Sequence, residues 1–228
     1  MKIGHFIVIE AVDRAGKTTQ IDMVAATLID RGLRVALTAY PIVEAPVTGA
    51  LIMAARRGEL PLVSELGAAS ETVRRAAGKR QMLLVQELFS LNRREGALGL
   101  ETLLRANDVV VSSRYTLSGR AYAEASGIRA NEIGSMLATL EADLRKPELT
   151  LVLDLDPSVA ASRSRPSALD AFNRDLLLQQ RVRASYQRVA GRDRAVRMID
   201  ADGDPMVVHA RLIAELDACL PDLRATQG

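Results

Sequence analysis

The chain of 228 residues carries a formal net charge of +2, with 25% charged and 48% hydrophobic residues, the balance of an ordinary soluble globule rather than of a disordered chain. So small a net charge gives no support to a nucleic-acid binder, and the single Cys219 excludes an internal disulfide framework or a cysteine-built metal site. Aromatic residues make up only 3%, which leaves the core to aliphatic side chains.

The first apolar run, about residues 5–10, is continuous, as expected of a strand covered by helices on both faces. It stops at Glu10, far too short for a signal peptide or a membrane span, so a cytoplasmic protein with no membrane partner is expected. Ala11-Val12-Asp13-Arg14-Ala15-Gly16-Lys17-Thr18-Thr19 follows, with the spacing of G-x-x-x-x-G-K-[ST] except that Ala11 replaces the first glycine. In such a loop successive main-chain N–H groups curl round a polyphosphate, and the next helix aims its positive dipole end at the same anion. All nine residues are candidates to bind ATP. Lys17 would reach the β/γ-phosphates and the Thr18 hydroxyl would hold Mg²⁺. The extra methyl at Ala11 is tolerated only if φ is negative there.

Ile21, Val24, Ala25, Leu28 and Ile29 recur at helical spacing, and Arg31-Gly32 closes that helix. Leu33 to Ala39 reads as a second strand broken by Tyr40-Pro41, and a third element, a helix, opens at Pro46 and runs to Arg57. Glu59 to about Arg105 has helical character throughout, with breaks expected at Gly78 and Gly96. Val109 to Val111 predicts a third strand, ending at Ser112-Ser113-Arg114-Tyr115, and helices follow over about 116–126 and 130–143. Leu149 to Leu155 predicts a fourth strand, after which Asp156-Pro157 caps a helix. Residues 163–173 are polar and irregular and read as a short lid; a helix over Asp175–Ala190, a strand over Ala195–Ile199 and a last helix capped by Asp204-Pro205 complete the chain, with a frayed tail at 221–228. His5 and His209 stand far apart without ligand-like spacing and read as structural. The pattern predicts an α/β, three-layer P-loop NTPase fold, a five-stranded parallel sheet flanked by helices, as a single domain over residues 1–228.

Four further segments accompany the loop: Leu88-Phe89-Ser90-Leu91-Asn92-Arg93, Arg114-Tyr115-Thr116-Leu117-Ser118-Gly119, Lys146-Pro147-Glu148-Leu149-Thr150 and Arg181-Val182-Arg183-Ala184-Ser185-Tyr186. In this order, with residues 9–20, they resemble the motifs of the thymidylate kinase family over about residues 10–190. The resemblance implies transfer of the γ-phosphoryl group of ATP to thymidine 5′-monophosphate (dTMP) with Mg²⁺, by a homodimer packed through helices near the third strand. It implies that Arg14, Lys17 and Arg114 carry the transfer, with Arg14 spanning donor and acceptor phosphates and Arg114 clamping the acceptor phosphate. Asp13 would accept a hydrogen bond from the sugar 3′-hydroxyl. Phe89 would lie against the thymine and Arg93 at its carbonyl edge, with Pro41, Ser118, Gly119 and Tyr122 completing the acceptor pocket. Arg163 or Arg165 would close the lid over the donor phosphates.

The chain departs from the family pattern at four places. Ser113 stands where an aspartate precedes the arginine, Ile42-Val43 where an arginine follows the proline, Asp170-Ala171-Phe172-Asn173 where the lid reads Asp-Arg-x-Glu, and Ala11 where glycine is usual. Asp154 and Asp156 are candidates for a replacement Mg²⁺ carboxylate, a strand end and a helix cap being the simpler readings. The lost arginine keeps open a kinase acting on a related nucleotide or a deoxynucleoside. Ser113, Ala171 and Asn173 keep open a degenerate nucleotide-binding regulator.

Overall fold

The computed structural model describes residues 3–57, 59, 71–162 and 176–224. Strand β1 (His5–Ala11) is buried from its second residue onward and occupies the centre of a five-stranded sheet of order β2-β3-β1-β4-β5. The other strands are β2 (Val35–Ala39), β3 (Val109–Ser113), β4 (Leu149–Asp154) and β5 (Val196–Asp200), and each neighbouring pair is parallel. The α/β sheet expected from the sequence is thus the one observed.

Alternation along the strands divides the core between the two faces. Ile7, Ile9 and Ala11 pack with Val109 and Val111 into a cluster with helices α1 (Lys17–Asp30), α8 (Leu176–Ala190) and α9 (Pro205–Cys219). Phe6, Val8 and Val110 point the other way, onto Leu100 and Leu104 of α4 (Ala97–Ala106), where Tyr115 meets both Phe6 and Tyr40 edge to face with ring centroids 5.0 Å apart. A third cluster joins α3 (Glu71–Glu95), α5 (Thr116–Ala125) and α6 (Ala130–Leu140).

Several expected boundaries moved, each for a local reason. Gly96 does separate α3 from α4, but α3 runs through Gly78. Glycine inside a helix costs only about 1 kcal/mol, and Gly78 has no positive φ to force a turn. Helix α2 (Gly49–Arg57) starts three residues after Pro46. The intervening N–H groups of Val47 and Thr48 donate to the Glu95 carboxylate (2.8 and 3.0 Å), the kind of partner that N–H groups ahead of a helix need. α6 ends at Leu140 because Glu141 turns inward to an ion pair with Arg93. Helix α7 (Pro157–Ser162) begins where Asp156 accepts from the Ser158 N–H at 2.9 Å, and Asp204 caps α9 by accepting from Met206 N–H at 2.8 Å. The tail is not frayed at its start: Pro221–Leu223 forms a 3₁₀ turn with Leu223 buried, and Asp222 pairs with His5. His209 likewise has a structural partner, Thr27 (2.8 Å).

Two loops leave the carboxyl edge of the sheet side by side. The register pairs Ile9 with Ser113, so the segment after β1 and the segment after β3 emerge next to each other, the place where open parallel sheets bind ligands. The lid at 163–173, with Arg163, Arg165 and Asp170 to Asn173, lies outside the described residues.

Candidate active site

Ala11 is still part of β1, and the only non-glycine positive φ angles among the described residues belong to Arg14 and Arg114; the condition that allows alanine at the first loop position is met. Ala11 and Ala15 put their methyl groups into the core, so they face a phosphate with main chain alone. Arg14 (φ 65°) and Gly16 (φ 83°) both take left-handed backbone, curling the loop. No side chain caps α1, which leaves its first N–H groups for an anion. A cavity of about 240 Å³ lies over these groups, lined by Val12, Asp13, Arg14, Gly16, Lys17, Thr18 and Thr19, with Arg114 closing one side.

Arg114 has φ 68°, a strained value for a residue with a Cβ, and the surrounding groups over-determine it. Its N–H donates to Ile9 O (3.1 Å), and Ser112 Oγ donates to its carbonyl (2.8 Å). The turn that follows is held by Glu10, fully buried at the end of the apolar strand. The Glu10 carboxylate accepts from the N–H groups of Tyr115 (3.0 Å) and Ser118 (3.2 Å), from the Ser118 hydroxyl and from Tyr186 Oη (3.2 Å). Ser118 Oγ in turn accepts from Arg114 Nη1 (3.2 Å). Sequence reasoning treated Glu10 only as the end of a strand; an acidic residue closing a buried apolar run was the signal that it anchors something.

The second cavity, about 380 Å³, is deeper and more apolar. Pro41, Phe89, Arg93, Ser118, Gly119 and Tyr122, all expected in the acceptor pocket, line it. Asp13, Lys17 and Arg114 line both cavities. Asp13 pairs with Arg114, and its carboxylate also accepts from Tyr122 Oη (2.8 Å) and Gln179 Nε2 (3.1 Å). Arg114 stacks 5.5 Å from the centre of the Tyr122 ring. Burial pushes the Tyr122 phenol up to about 12, so it donates to Asp13 as a neutral hydroxyl.

Arg93 is not an isolated arm at the base edge. It is 3% exposed, and its Nε (2.8 Å) and Nη2 both donate to Glu141. Glu141, at the end of α6, and Gln179, on α8, are remote in sequence and carried no motif; Tyr186, also on α8, closed a quoted motif without being given a role. Gln86 and Arg56 also line the deep cavity without having been singled out.

Where the family pattern has a carboxylate, Ser113 Oγ accepts from Lys17 Nζ at 2.8 Å. Burial, reinforced by the charge of Arg114, lowers the Lys17 ammonium to about 8, against the pull of Glu10 and Asp13. Asp154 and Asp156 do not take over the missing charge: Arg183 pairs with both, and Asp156 is spent as the α7 cap. The simpler reading of those two residues is the correct one. Nor do Ile42 and Val43 offer a side chain to a phosphate. The Ile42 main chain is fastened by Asn92, which accepts from its N–H (2.8 Å) and donates to its carbonyl (2.9 Å).

The loop that curls at Arg14 and Gly16 thus opens on a second, apolar cavity, and comparison with known proteins says which family builds such a fold. The family model described as Thymidylate kinase matches residues 65–212. Thymidylate kinases from Methylococcus capsulatus and Alteromonas mediterranea are 32% and 31% identical over 96% and 92% of this chain, covering 98% and 88% of theirs. The chain belongs to the thymidylate kinase family. A solved thymidylate kinase from Candida albicans has the same fold, with a TM-score of 0.70 over 95% of this chain and 92% of that one at 23% identity. As a thymidylate kinase family member the protein is a phosphotransferase, and Asp13, Lys17 and Arg114 are the residues its two cavities share.

Proposed function

We propose that the enzyme transfers the γ-phosphoryl group of ATP to dTMP, yielding ADP and dTDP. The observation that carries this reading is that a phosphate cavity and an apolar, base-sized cavity share Asp13, Lys17 and Arg114. ATP would place its phosphates over the Gly16–Thr19 amides, and dTMP would insert its base between Phe89 and Tyr122. A phosphate oxygen of dTMP attacks the γ-phosphorus while the bond to the β-phosphate oxygen breaks and ADP leaves. The reaction needs alignment and charge neutralisation more than covalent help. Lys17, Arg14 and Arg114 supply positive charge from three directions, Lys17 and Arg114 facing both substrates.

The Thr18 hydroxyl on the cavity rim would hold a Mg²⁺ ion brought with ATP, which would supply neutralising positive charge to the phosphates. No group of three or more His, Cys, Asp or Glu side chains among the described residues is placed to hold a metal unaided, which fits an ion bound largely through the nucleotide.

A homodimer is part of this proposal. Leu84 and Leu91, seven residues apart on α3, and Leu98 on α4 are 41%, 50% and 82% exposed, an apolar stripe suited to a second copy; light scattering on the purified protein tests it. A cytoplasmic setting goes with ATP as donor. The function itself is tested by a coupled ADP-release assay over a panel of nucleoside monophosphates and thymidine. Turnover of dTMP above the rest is expected; turnover of another acceptor with none of dTMP overturns it.

A further inference from the structure

Resting on the assignment of the deep cavity to the acceptor, we propose that Gln86 reads the Watson–Crick edge of its base, selecting a pyrimidine that carries an N3–H beside a C4 carbonyl. Gln86, Phe89 and Arg93 follow one another at i, i+3 and i+7 on α3 and share one face. All three line the cavity. Gln86 is 2% exposed, and among the described residues its Oε1 has no hydrogen-bond partner. The partner of its Nε2 there is the Met82 sulfur, at 3.4 Å, a weak acceptor. A buried amide left in this state costs free energy, and a ligand that brings a donor recovers it.

Arg93 supplies the complementary half. Glu141 and Ser90 occupy its Nε and Nη2, which fixes the guanidinium plane and leaves the Nη1 hydrogens for a ligand. Glycine at 119 leaves room for both side chains: a Cβ there would stand 3.1 Å from Gln86 Oε1 and 3.2 Å from Arg93 Nη2, the nitrogen held by Glu141 and Ser90. The Gln86 acceptor and the braced guanidinium therefore border the same patch of wall. Thymine or uracil meets that patch with N3–H toward Gln86 and O4 toward Arg93. Cytosine presents the reverse, a bare N3 and an N4 amine, and turning the Gln86 amide over cannot help because Arg93 can only donate.

The test compares kcat/KM for dTMP, dCMP and N3-methyl-dTMP in the wild type, Gln86→Met and Gln86→Glu, with thermal midpoints as the check on folding. The wild type is expected to prefer dTMP strongly over both analogues. Gln86→Met should lose about tenfold or more in kcat/KM for dTMP, mainly through KM for dTMP with KM for ATP unchanged. Its preference for dTMP over the N3-methyl analogue should collapse by a similar factor. Gln86→Glu keeps an acceptor oxygen and should keep that preference. A folded Gln86→Met with the wild-type ratio overturns the role of Gln86 alone, as does a wild type that uses N3-methyl-dTMP as well as dTMP. A wild type inactive on dTMP overturns the acceptor assignment and this proposal together.

Discussion

Asp13 and Arg114, 101 residues apart in sequence, form an ion pair at the boundary of the two cavities, each side chain only 18% exposed. The pair joins the loop after β1 to the turn after β3, so the walls of the two cavities are tied together before any ligand binds. A carboxylate offers about four lone-pair positions, and Arg114, Tyr122 and Gln179 use three of those on Asp13. Among the described residues that leaves one, which the proposed acceptor would fill with a sugar hydroxyl.

Arg114→Ala is expected to lower kcat by about 10²–10³, the scale for losing one well-placed charge donor in a phosphoryl or acyl transfer site. Arg114→Lys should recover little, because an ammonium cannot span Asp13, Ser118 and a phosphate in one plane. Steady-state kinetics with dTMP and ATP checks both, and near-normal turnover by the lysine variant contradicts the planar clamp.

Arg14→Ala should abolish transfer while ATP still binds. Arg14 lines the phosphate cavity but not the deep one, so its expected part is to add charge over the transferred group, while ATP keeps the main chain around Gly16 and the Lys17 side chain. Calorimetric titration of ATP beside a coupled assay separates the two effects. Retained transfer would shift the role to Arg163 or Arg165.

Lys17 sets the alkaline limit. With its pKa lowered to about 8 by burial and Arg114, the free enzyme loses this positive charge as pH rises through 8. kcat/KM for ATP should therefore fall above that pH, by roughly tenfold per unit. Ser113→Asp places a negative charge on Lys17 Nζ, which favours the protonated form, so the same limb should move to higher pH and activity should rise. A pH profile that is unchanged by Ser113→Asp would mean the Lys17–Ser113 contact has no electrostatic consequence in solution.

Glu10→Gln should cost about 1–3 kcal/mol of stability, since a buried donor is left facing an amide hydrogen. It should also weaken catalysis, because the turn that holds Arg114 is anchored on that carboxylate. Urea unfolding gives the first, and KM for dTMP together with kcat gives the second. A loss of stability with unaltered kinetics would make Glu10 purely structural.

How much of this was legible in the sequence depended on the range of the interaction. The Ala11–Thr19 loop and the Asp204 cap were readable because their physics is local: main-chain conformation and a side chain reaching two residues along. The break at Gly96 was readable from residue type, although what demands glycine there is tertiary, a Cβ standing 2.3 Å from Ile42 Cδ1. The Gly78 break failed because a glycine without positive φ costs a helix only about 1 kcal/mol. At Pro46 the start shifted to Gly49, and Glu95 from α3 accepts the Val47 and Thr48 N–H groups just ahead of it. In the site, motif spacing named Phe89, Arg93, Arg114 and Tyr122 but not Glu10, Gln86, Glu141 or Gln179.

The sequence by itself determined the strand order of apolar runs, the phosphate loop and the family, since each rests on residue identity at short, fixed spacing. Only the tertiary structure decided that Asp13 is already engaged by Arg114, that Arg93 is braced by Glu141 and that Arg183 neutralises Asp154 and Asp156. Those outcomes depend on which buried charges meet across the sheet edge. A buried carboxylate or guanidinium must find a partner, and nothing in linear spacing says which one the fold will bring within reach.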